Sequence, residues 1–274
     1  MTCNLSKTTE RNRFESRYAD EVVEVAAVTG ASGVSAGRAS GNLMWNASIN
    51  LVAWKYIDKN EAPRIEEMRL GWLVDDKEWE ESKAILKKNS IVRLQVRLAK
   101  NSMMLVKVLE NNFHDDELNI ILEKSLEPVF YVDGILGEFE LFKSVNLFEK
   151  QIVWAGEEGQ LYFDWDKDEK EMAAALSTAH ELFHHQEEWS GKIKLFAAEE
   201  LVELANDWLE DDNEADIDEI TKEMFIRLLK LDSISVYSDG EFEMFFSDGD
   251  MFWGHSIIVS GNINGELSSA EIAG

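Results

Sequence analysis

Hydrophobic and polar residues alternate along several stretches of the first half of the chain, as in strands with one buried face. The clearest case is SIVRLQVRL at 90–98. In contrast, the charged stretch 75–88 has the apolar spacing of a helix. The pattern predicts strands at 22–29, 43–56, 64–74, 90–98 and 103–110. Three strands, a helix and two strands are the order of an OB-like β-barrel of five strands with one helix, which we predict for residues 1–126.

The second half combines strands with a block of helices. A short helix at 114–128 joins the two regions and ends before Pro128. Strands are predicted at 129–132, 137–142, 150–156, 160–165, 233–237, 241–246 and 252–263, and helices at 168–189, 193–209 and 218–230. The fold class is therefore α+β, and residues 127–274 are predicted to form an acidic domain in which helices pack on one face of an antiparallel sheet.

Charge separates the two halves of this 274-residue chain. Residues 1–126 carry 18 basic and 19 acidic residues, whereas residues 127–274 carry 9 basic and 35 acidic ones, a net −26 of the total −27. Such a surface repels nucleic acid and anionic membranes and attracts basic proteins or cations. The alternative is that the acidity serves solubility alone.

The single cysteine and the N-terminal sequence indicate in which cellular compartment the protein is expected. Cys3 is the sole cysteine, so neither an internal disulfide nor a cysteine-based zinc site can form. The opening MTCNLSKTTERNRF lacks the apolar core of a signal peptide, and the apolar runs are too short to cross a bilayer. We expect a cytoplasmic protein that does not bind membranes.

The stretch HELFHHQEEW at 180–189 contains the zinc-peptidase pattern H-E-x-x-H. His180 and His184 would bind the metal, Glu181 would act as general base, and Glu203 is a candidate third ligand. However, the glycine and third histidine that continue the pattern in one class of these enzymes are absent.

The positions of the two histidines on a helical wheel also disfavour a zinc centre. Both histidines fall at the edge of the apolar stripe, next to the solvated face. We expect an amphipathic helix that ends near Trp189, with neither cofactor nor metal, and zinc at the histidine pair remains the alternative.

Two features of the first half are typical of nucleotide or nucleic-acid sites. The glycine-rich stretch 28–41 resembles a dinucleotide-binding loop, but a strand follows it where such a loop requires a helix. The sequence predicts an inter-strand loop that can still touch a ligand. OB barrels bind single strands through basic grooves and stacking aromatics. Arg93 and Arg97 share a strand face, yet the near-zero charge of this half disfavours nucleic acid.

The stretch SDGDMFWGH at 247–255 is the most unusual in composition. Asp248, Asp250 and His255 lie in a hairpin that is also expected to expose Phe252 and Trp253. Carboxylates beside a histidine can form an acid–base pair or a metal site. The simpler interpretation is that the aspartates cap a turn.

This stretch carries a family resemblance. Together with GEFELFKSVNLFEKQIVWAGEEGQLYF and FAAEELVELANDW, it resembles the bacterial domain of unknown function 2262 family over about residues 127–274. The upstream TGASGVSAGRASGNLMWNASINLVAW resembles the small β domain that often precedes that domain. The resemblance implies an α+β domain behind a β domain in a bacterial cytoplasmic protein. It implies no activity, and H-E-x-x-H is not part of the family's pattern.

The functional hypothesis is an acidic, non-enzymatic interaction protein, immunity- or inhibitor-like, that binds a basic protein partner. No catalytic residue is assigned. The candidate contact residues are Asp211, Asp212, Glu214, Asp216, Asp248, Asp250, Trp253 and His255. Two alternatives stay open: a metal-dependent hydrolase, using the His180–Glu181–His184 helix or the Asp248–Asp250–His255 hairpin, and single-strand nucleic-acid binding by the OB-like module.

Overall fold

A computed structural model describes residues 6–210 and 217–274. The chain forms two compact units, one of residues 1–127 with 143–145 and one of residues 128–142 with 146–274. Each is described by itself. In the described part of the chain, no helix is both long and apolar enough to cross a membrane.

The first unit is a closed barrel. Its elements are α1 (Lys7–Glu15), β1 (Val22–Thr29), β2 (Ser35–Gly37), β3 (Trp45–Tyr56), β4 (Met68–Val74), α2 (Glu78–Ser82), β5 (Ile91–Leu98), β6 (Ser102–Asn111) and α3 (Asp116–Leu126). The strand order β1-β5-β6-β4-β3 closes through the pairing of β3 with β1. The β4–β6 pair is parallel, and α2 lies between β4 and β5 in the chain. This confirms the predicted OB-like β-barrel of five strands with one helix.

The apolar and polar residues that alternate in the sequence face the inside and the outside of this barrel. In β5, Leu94 and Val96 are fully buried, whereas Arg93 and Arg97, which alternate with them along the strand, are partly exposed. The helix α1 has no apolar stripe, because Phe14 is its one buried hydrophobic residue. The Phe14 ring lies beside Gly71 of β4, so α1 packs on the outer face of the barrel.

The second unit is built on one sheet. Its elements are β7 (Phe130–Asp133), β8 (Gly137–Phe142), β9 (Leu147–Trp154), β10 (Glu157–Asp164), α4 (Glu169–His184), α5 (Gln186–Glu210), α6 (Lys222–Leu228), β11 (Lys230–Val236), β12 (Glu241–Ser247), β13 (Ser256–Asn262) and β14 (Leu267–Ala273). The eight strands lie in the order β14-β13-β12-β11-β10-β9-β8-β7. One hydrophobic core joins the sheet to the three helices, with Trp154, Phe163 and Phe242 among its largest buried side chains. The α+β class is confirmed.

One pairing in this sheet differs from the antiparallel sheet that the sequence predicts. Strands β10 and β11 are parallel, while the other neighbours among the described strands are antiparallel. The helices α4, α5 and α6 lie between β10 and β11 in the chain. A connection of this length lets the chain cross over the sheet and return in the same direction.

The prediction of one continuous helix to Trp189 is wrong. Helix α4 ends at His184, and α5 begins at Gln186. The indole Nε1 of Trp154 donates to the carbonyl oxygen of Leu182 at 3.1 Å, which is the oxygen that would accept from the Gln186 N–H in a continuous helix. The side chain of Gln186 accepts instead from the N–H of Ala155 at 2.8 Å. Contacts with the end of β9 therefore divide the helix.

Candidate interaction surface

A buried carboxylate organises the loop between β12 and β13. The side chain of Asp248 is 2% exposed and accepts hydrogen bonds from three backbone N–H groups. The donors are Asp250 at 3.1 Å, Phe252 at 2.6 Å and Gly254 at 3.2 Å. A buried carboxylate without such donors would be strongly destabilising. The three N–H groups thus fix the loop around one side chain.

The loop backbone adopts conformations that few residues accept. Asp250 and Trp253 have φ angles of 68° and 56°, in the left-handed region, which costs about 1 kcal/mol or more for a non-glycine residue. Gly249 also has a positive φ, and a side chain there would come within 3.0 Å of Leu228. The hydrogen bonds to Asp248 hold the loop in this shape.

The consequence is that two adjacent aromatic side chains point in opposite directions. The prediction that both are exposed is wrong for Phe252, which is fully buried, whereas Trp253 is 59% exposed. Trp208 of α5 lies beside both rings, with centroids 5.5 Å from Phe252 and 4.8 Å from Trp253. The His255 ring packs edge-on against Trp208 at 5.5 Å, and its Nδ1 is hydrogen-bonded to the carbonyl oxygen of Phe252.

We call this region the Trp253 surface. It consists of the side chains of Leu204, Trp208, Trp253 and His255 and of the exposed carboxylate of Asp250 in the same loop. Leu204 and Trp208 are four residues apart on α5 and so share a helix face. Aromatic rings thus lie next to an exposed carboxylate of the same loop.

The predicted contact residues have different roles in this geometry. Trp253 and Asp250 are exposed, and His255 is partly exposed. The burial of Asp248 excludes direct contact with a partner, so its place among the contact residues is corrected to a structural one. Asp211, Asp212, Glu214 and Asp216 lie outside the described residues. Sequence reasoning missed Trp208, which the fold brings to the loop from a distant helix.

The H-E-x-x-H residues do not converge on a common point. His180 Nε2 lies 3.0 Å from Asp133 Oδ1, His184 is exposed with its ring against His185, and Glu203 is exposed on the next helix. Within residues 6–210 and 217–274, no three His, Cys, Asp or Glu side chains are arranged to hold a metal ion.

Asp133 explains the position of His180. Burial alone would raise the pKa of the Asp133 carboxyl group, but hydrogen bonds from the Leu136 N–H, the His180 ring and the Ile135 N–H hold it below its usual value. The carboxylate therefore ties helix α4 to the β7–β8 turn. The first histidine of the motif serves this structural link, which no local sequence pattern indicates.

The barrel's aromatic and basic side chains are mostly engaged with one another. Trp45 and Trp79 stack at 6.3 Å, and the Arg38 guanidinium lies 4.5 Å from the Trp45 ring. Arg93 and Arg97 each contact carboxylates. The stacking faces and charges that single-stranded nucleic acid requires are thus largely occupied by the protein itself. No helix opens at the glycine-rich stretch, which continues into the β2–β3 pair.

The comparisons with protein families define the class of the chain. Residues 133–272 match a family described as an uncharacterized protein conserved in bacteria (DUF2262), and the chain belongs to this family. Residues 10–125 match a second family, described as a domain of unknown function (DUF7021). No curated protein and no solved structure matches the chain significantly. The family resemblance seen in the sequence is confirmed.

Proposed function

We propose that this protein is an acidic, non-enzymatic interaction protein that binds a basic protein partner through the Trp253 surface. The observation that carries the proposal is that Trp253 is 59% exposed on a loop held in place by the buried Asp248. An exposed tryptophan on a mobile loop would lose conformational freedom on binding. A pre-ordered one avoids that entropic cost.

The chemistry of the surface supports a basic partner. Tryptophan is among the residues that contribute most to binding at interfaces, and its ring attracts lysine and arginine side chains. Asp250, which lies in the same loop as Trp253, adds negative charge, and the unit as a whole is strongly acidic. Opposite charges increase the association rate, whereas the aromatic contact slows dissociation. An immunity- or inhibitor-like protein that blocks a basic nuclease or toxin in the cytoplasm is the form of the proposal that best fits these features.

Co-purification from the native host, followed by a binding measurement with the purified partner, tests the proposal. We expect a protein of high isoelectric point to bind the wild type. Trp253→Ala should raise the dissociation constant roughly 30- to 1000-fold, as for a central interface residue. Trp165→Ala is the matched control, because Trp165 is a 39% exposed tryptophan of the same unit outside the surface. Unchanged affinity of Trp253→Ala, or catalytic turnover of the purified protein on a substrate panel, would contradict the proposal.

Asp248→Asn tests whether the loop must be pre-ordered. The substitution removes the charge that three N–H groups share, so we expect a loss of about 1–3 kcal/mol in unfolding free energy and weaker binding of the same partner. Asp250→Asn is the control, because Asp250 is exposed and asparagine accepts its positive φ. That control should change mainly the salt dependence of the association rate, measured by stopped flow. Full affinity in a destabilised Asp248→Asn protein would show that the loop shape is irrelevant to binding.

A further inference from the structure

A cleft of about 540 Å³ lies on the outer face of the barrel and has no part in the proposed function. One wall is helix α1, the other is the segment that links β2 to β3, and β3 and β4 form the base. This volume lies in the range of small-molecule sites, about 300–1,000 Å³. The glycine-rich stretch of the sequence thus ends at a cleft.

Much of the lining of the cleft is apolar, at the base and on both walls. Phe14 and Met44 are 6% and 3% exposed, and Leu73 of β4 completes the apolar lining. Asn46 of β3 lies beside them and can offer an amide to a polar ring edge. A flat, mainly apolar molecule would find both contact area and a polar partner here.

Arg13 in the last turn of α1 and Arg17 just after the helix border the cleft. The Arg17 guanidinium lies over the Phe14 ring, 4.4 Å from the centroid, and its Nε donates to the carbonyl oxygen of Phe14 at 3.2 Å. These contacts hold the guanidinium in place while the side chain stays exposed beside the cleft. Arg13 also lines the cleft. Among the described residues, neither arginine has a carboxylate oxygen within 4.0 Å, in contrast to Arg38 and Arg93.

A glutamate in the same cleft does not cancel these charges. Glu10 is 9% exposed, and its two carboxylate oxygens accept from the N–H groups of Leu43 at 2.7 Å and Met44 at 2.9 Å. These hydrogen bonds occupy the carboxylate and hold the opposite wall of the cleft in place. With Arg13 and Arg17 the local net charge is +1, within a protein of net charge −27.

We infer that this cleft binds a small organic anion with a planar ring. Arg13 and Arg17 bind its phosphate or carboxylate head group, because guanidinium groups match the geometry of both oxyanions. The ring packs against the apolar lining of the cleft beside the partly exposed Leu73. The occupant is a free small molecule rather than a nucleic-acid strand, since α1 and the β2–β3 link bound the cleft on two sides.

Calorimetric titration of the full-length protein tests this inference with defined probes. Phenyl phosphate, benzoate and adenosine monophosphate carry a head group and a ring, whereas inorganic phosphate and adenosine each lack one of the two. We expect at least one of the first three to bind with a dissociation constant below about 1 mM, and the last two to bind at least about tenfold more weakly. Phenyl phosphate against benzoate distinguishes the two head groups.

Variants separate this site from general charge effects. Arg13→Ala and Arg17→Ala should each weaken the best probe about tenfold. Arg11→Ala is the control, because Arg11 is exposed on the same helix and does not line the cleft. Arg17→Lys provides a variant that keeps the charge if Arg17→Ala loses stability, and it should bind more weakly than the wild type.

Three results would overturn the inference. The first is that no ring-bearing anion binds at concentrations up to about 10 mM. The second is that Arg11→Ala and Arg13→Ala bind the best probe equally well. The third is that a single-stranded DNA of ten nucleotides binds more tightly than the mononucleotide and that this binding depends on Arg13. Trp253→Ala should leave probe affinity unchanged, and the arginine variants should leave partner affinity unchanged. Failure of one proposal can therefore be distinguished from failure of the other.

Discussion

The two units use their charged side chains differently. In the barrel, basic side chains pair with acidic ones, as in Arg38–Asp76 at 2.8 Å and Arg97–Asp20 at 2.9 Å. In the sheet unit, the lysine–carboxylate pairs among the described residues are Lys194–Glu157 and Lys222–Glu199. The carboxylates of the barrel are therefore often paired with cations, whereas most of the described carboxylates in the sheet unit have no lysine or arginine partner.

The pKa values of two ionisable groups show the effect of this difference in charge pairing. Hydrogen bonds from the Lys7 ammonium group and from the Glu78 N–H lower the pKa of Asp75 in the barrel to about 2. In the sheet unit, burial and then the neighbouring carboxylate of Glu243 raise the pKa of Tyr237 to about 12. Cations stabilise negative charge in one unit, and unpaired carboxylates oppose further negative charge in the other. Free negative charge favours binding of a basic partner at the expense of self-repulsion.

Lys194 is the exception in the sheet unit, and we expect the largest effect there. Its side chain is 10% exposed and donates to Glu157 at 2.6 Å and to the carbonyl oxygen of Leu229 at 3.0 Å. Glu157 also accepts from the N–H of Leu231 at 2.7 Å, so the pair joins α5 to two strands. Lys194→Met leaves this carboxylate without its cation and should lower the unfolding free energy by about 3–5 kcal/mol, measured by urea unfolding.

Lys222→Met is the matched control for Lys194→Met. Lys222 is 49% exposed, and its contact with Glu199 is 3.8 Å long. We expect a change of about 0.5 kcal/mol or less, as for exposed pairs. Equal effects of the two substitutions would mean that burial does not distinguish these lysines and would weaken the contrast between paired and free charge.

Arg97 gives the corresponding test in the barrel, with a smaller effect. Its side chain is 14% exposed, and it donates to the carbonyl oxygen of Ala19 at 2.5 Å and to Asp20 at 2.9 Å. Arg97→Lys keeps the charge but cannot reproduce the fork of donors, so the unfolding free energy should fall by about 1–2 kcal/mol.

Arg69→Lys is the control for this prediction, because Arg69 is exposed on β4. It should leave the urea midpoint unchanged. If Arg97→Lys were equally neutral, the paired charges of the barrel would contribute charge alone and not geometry.

Much of this architecture can be predicted from the sequence, because the elements that pack best have regular patterns. Strand β1 lies at the predicted 22–29, and α3 falls inside the predicted 114–128. Helix α1 has no such signal, since Phe14 and Glu10 alone are buried on it. The edge strand β14 also has no predicted counterpart, because its alternation of serine, alanine and glutamate is weak.

The candidate surface is harder to predict for the same reason. Asp248, Asp250, Trp253 and His255 lie close in sequence, so they can be grouped without a structure. Asp248 rather than Asp250 is buried because three backbone N–H groups of the loop point at its carboxylate. Every residue except proline has such an N–H group, so the sequence does not show which aspartate will receive them. The approach of Trp208, like the division of α4 from α5 by Trp154, depends on tertiary contacts between distant residues.

Tyr237 provides the smallest and most specific test of the contrast, because its effect is confined to high pH. Its hydroxyl group donates to Glu243 at 3.0 Å. The raised pKa, about 12, means that the folded protein favours the neutral phenol. An unfolded tyrosine ionises near pH 10, so this contribution to stability is fully present below pH 10 and is lost as the pH rises towards 12. Absorbance at 295 nm should show a late-titrating tyrosine that is missing in Tyr237→Phe.

Glu243→Gln separates the two causes of the raised pKa of Tyr237. It removes the negative charge and keeps an oxygen that can accept the hydroxyl proton, so the tyrosine should ionise at lower pH than in the wild type but still above its unfolded value because burial remains. If Glu243→Gln left the titration unchanged, burial alone would control Tyr237. The unpaired carboxylates of the sheet unit would then have no measurable effect on the ionisation of their neighbours.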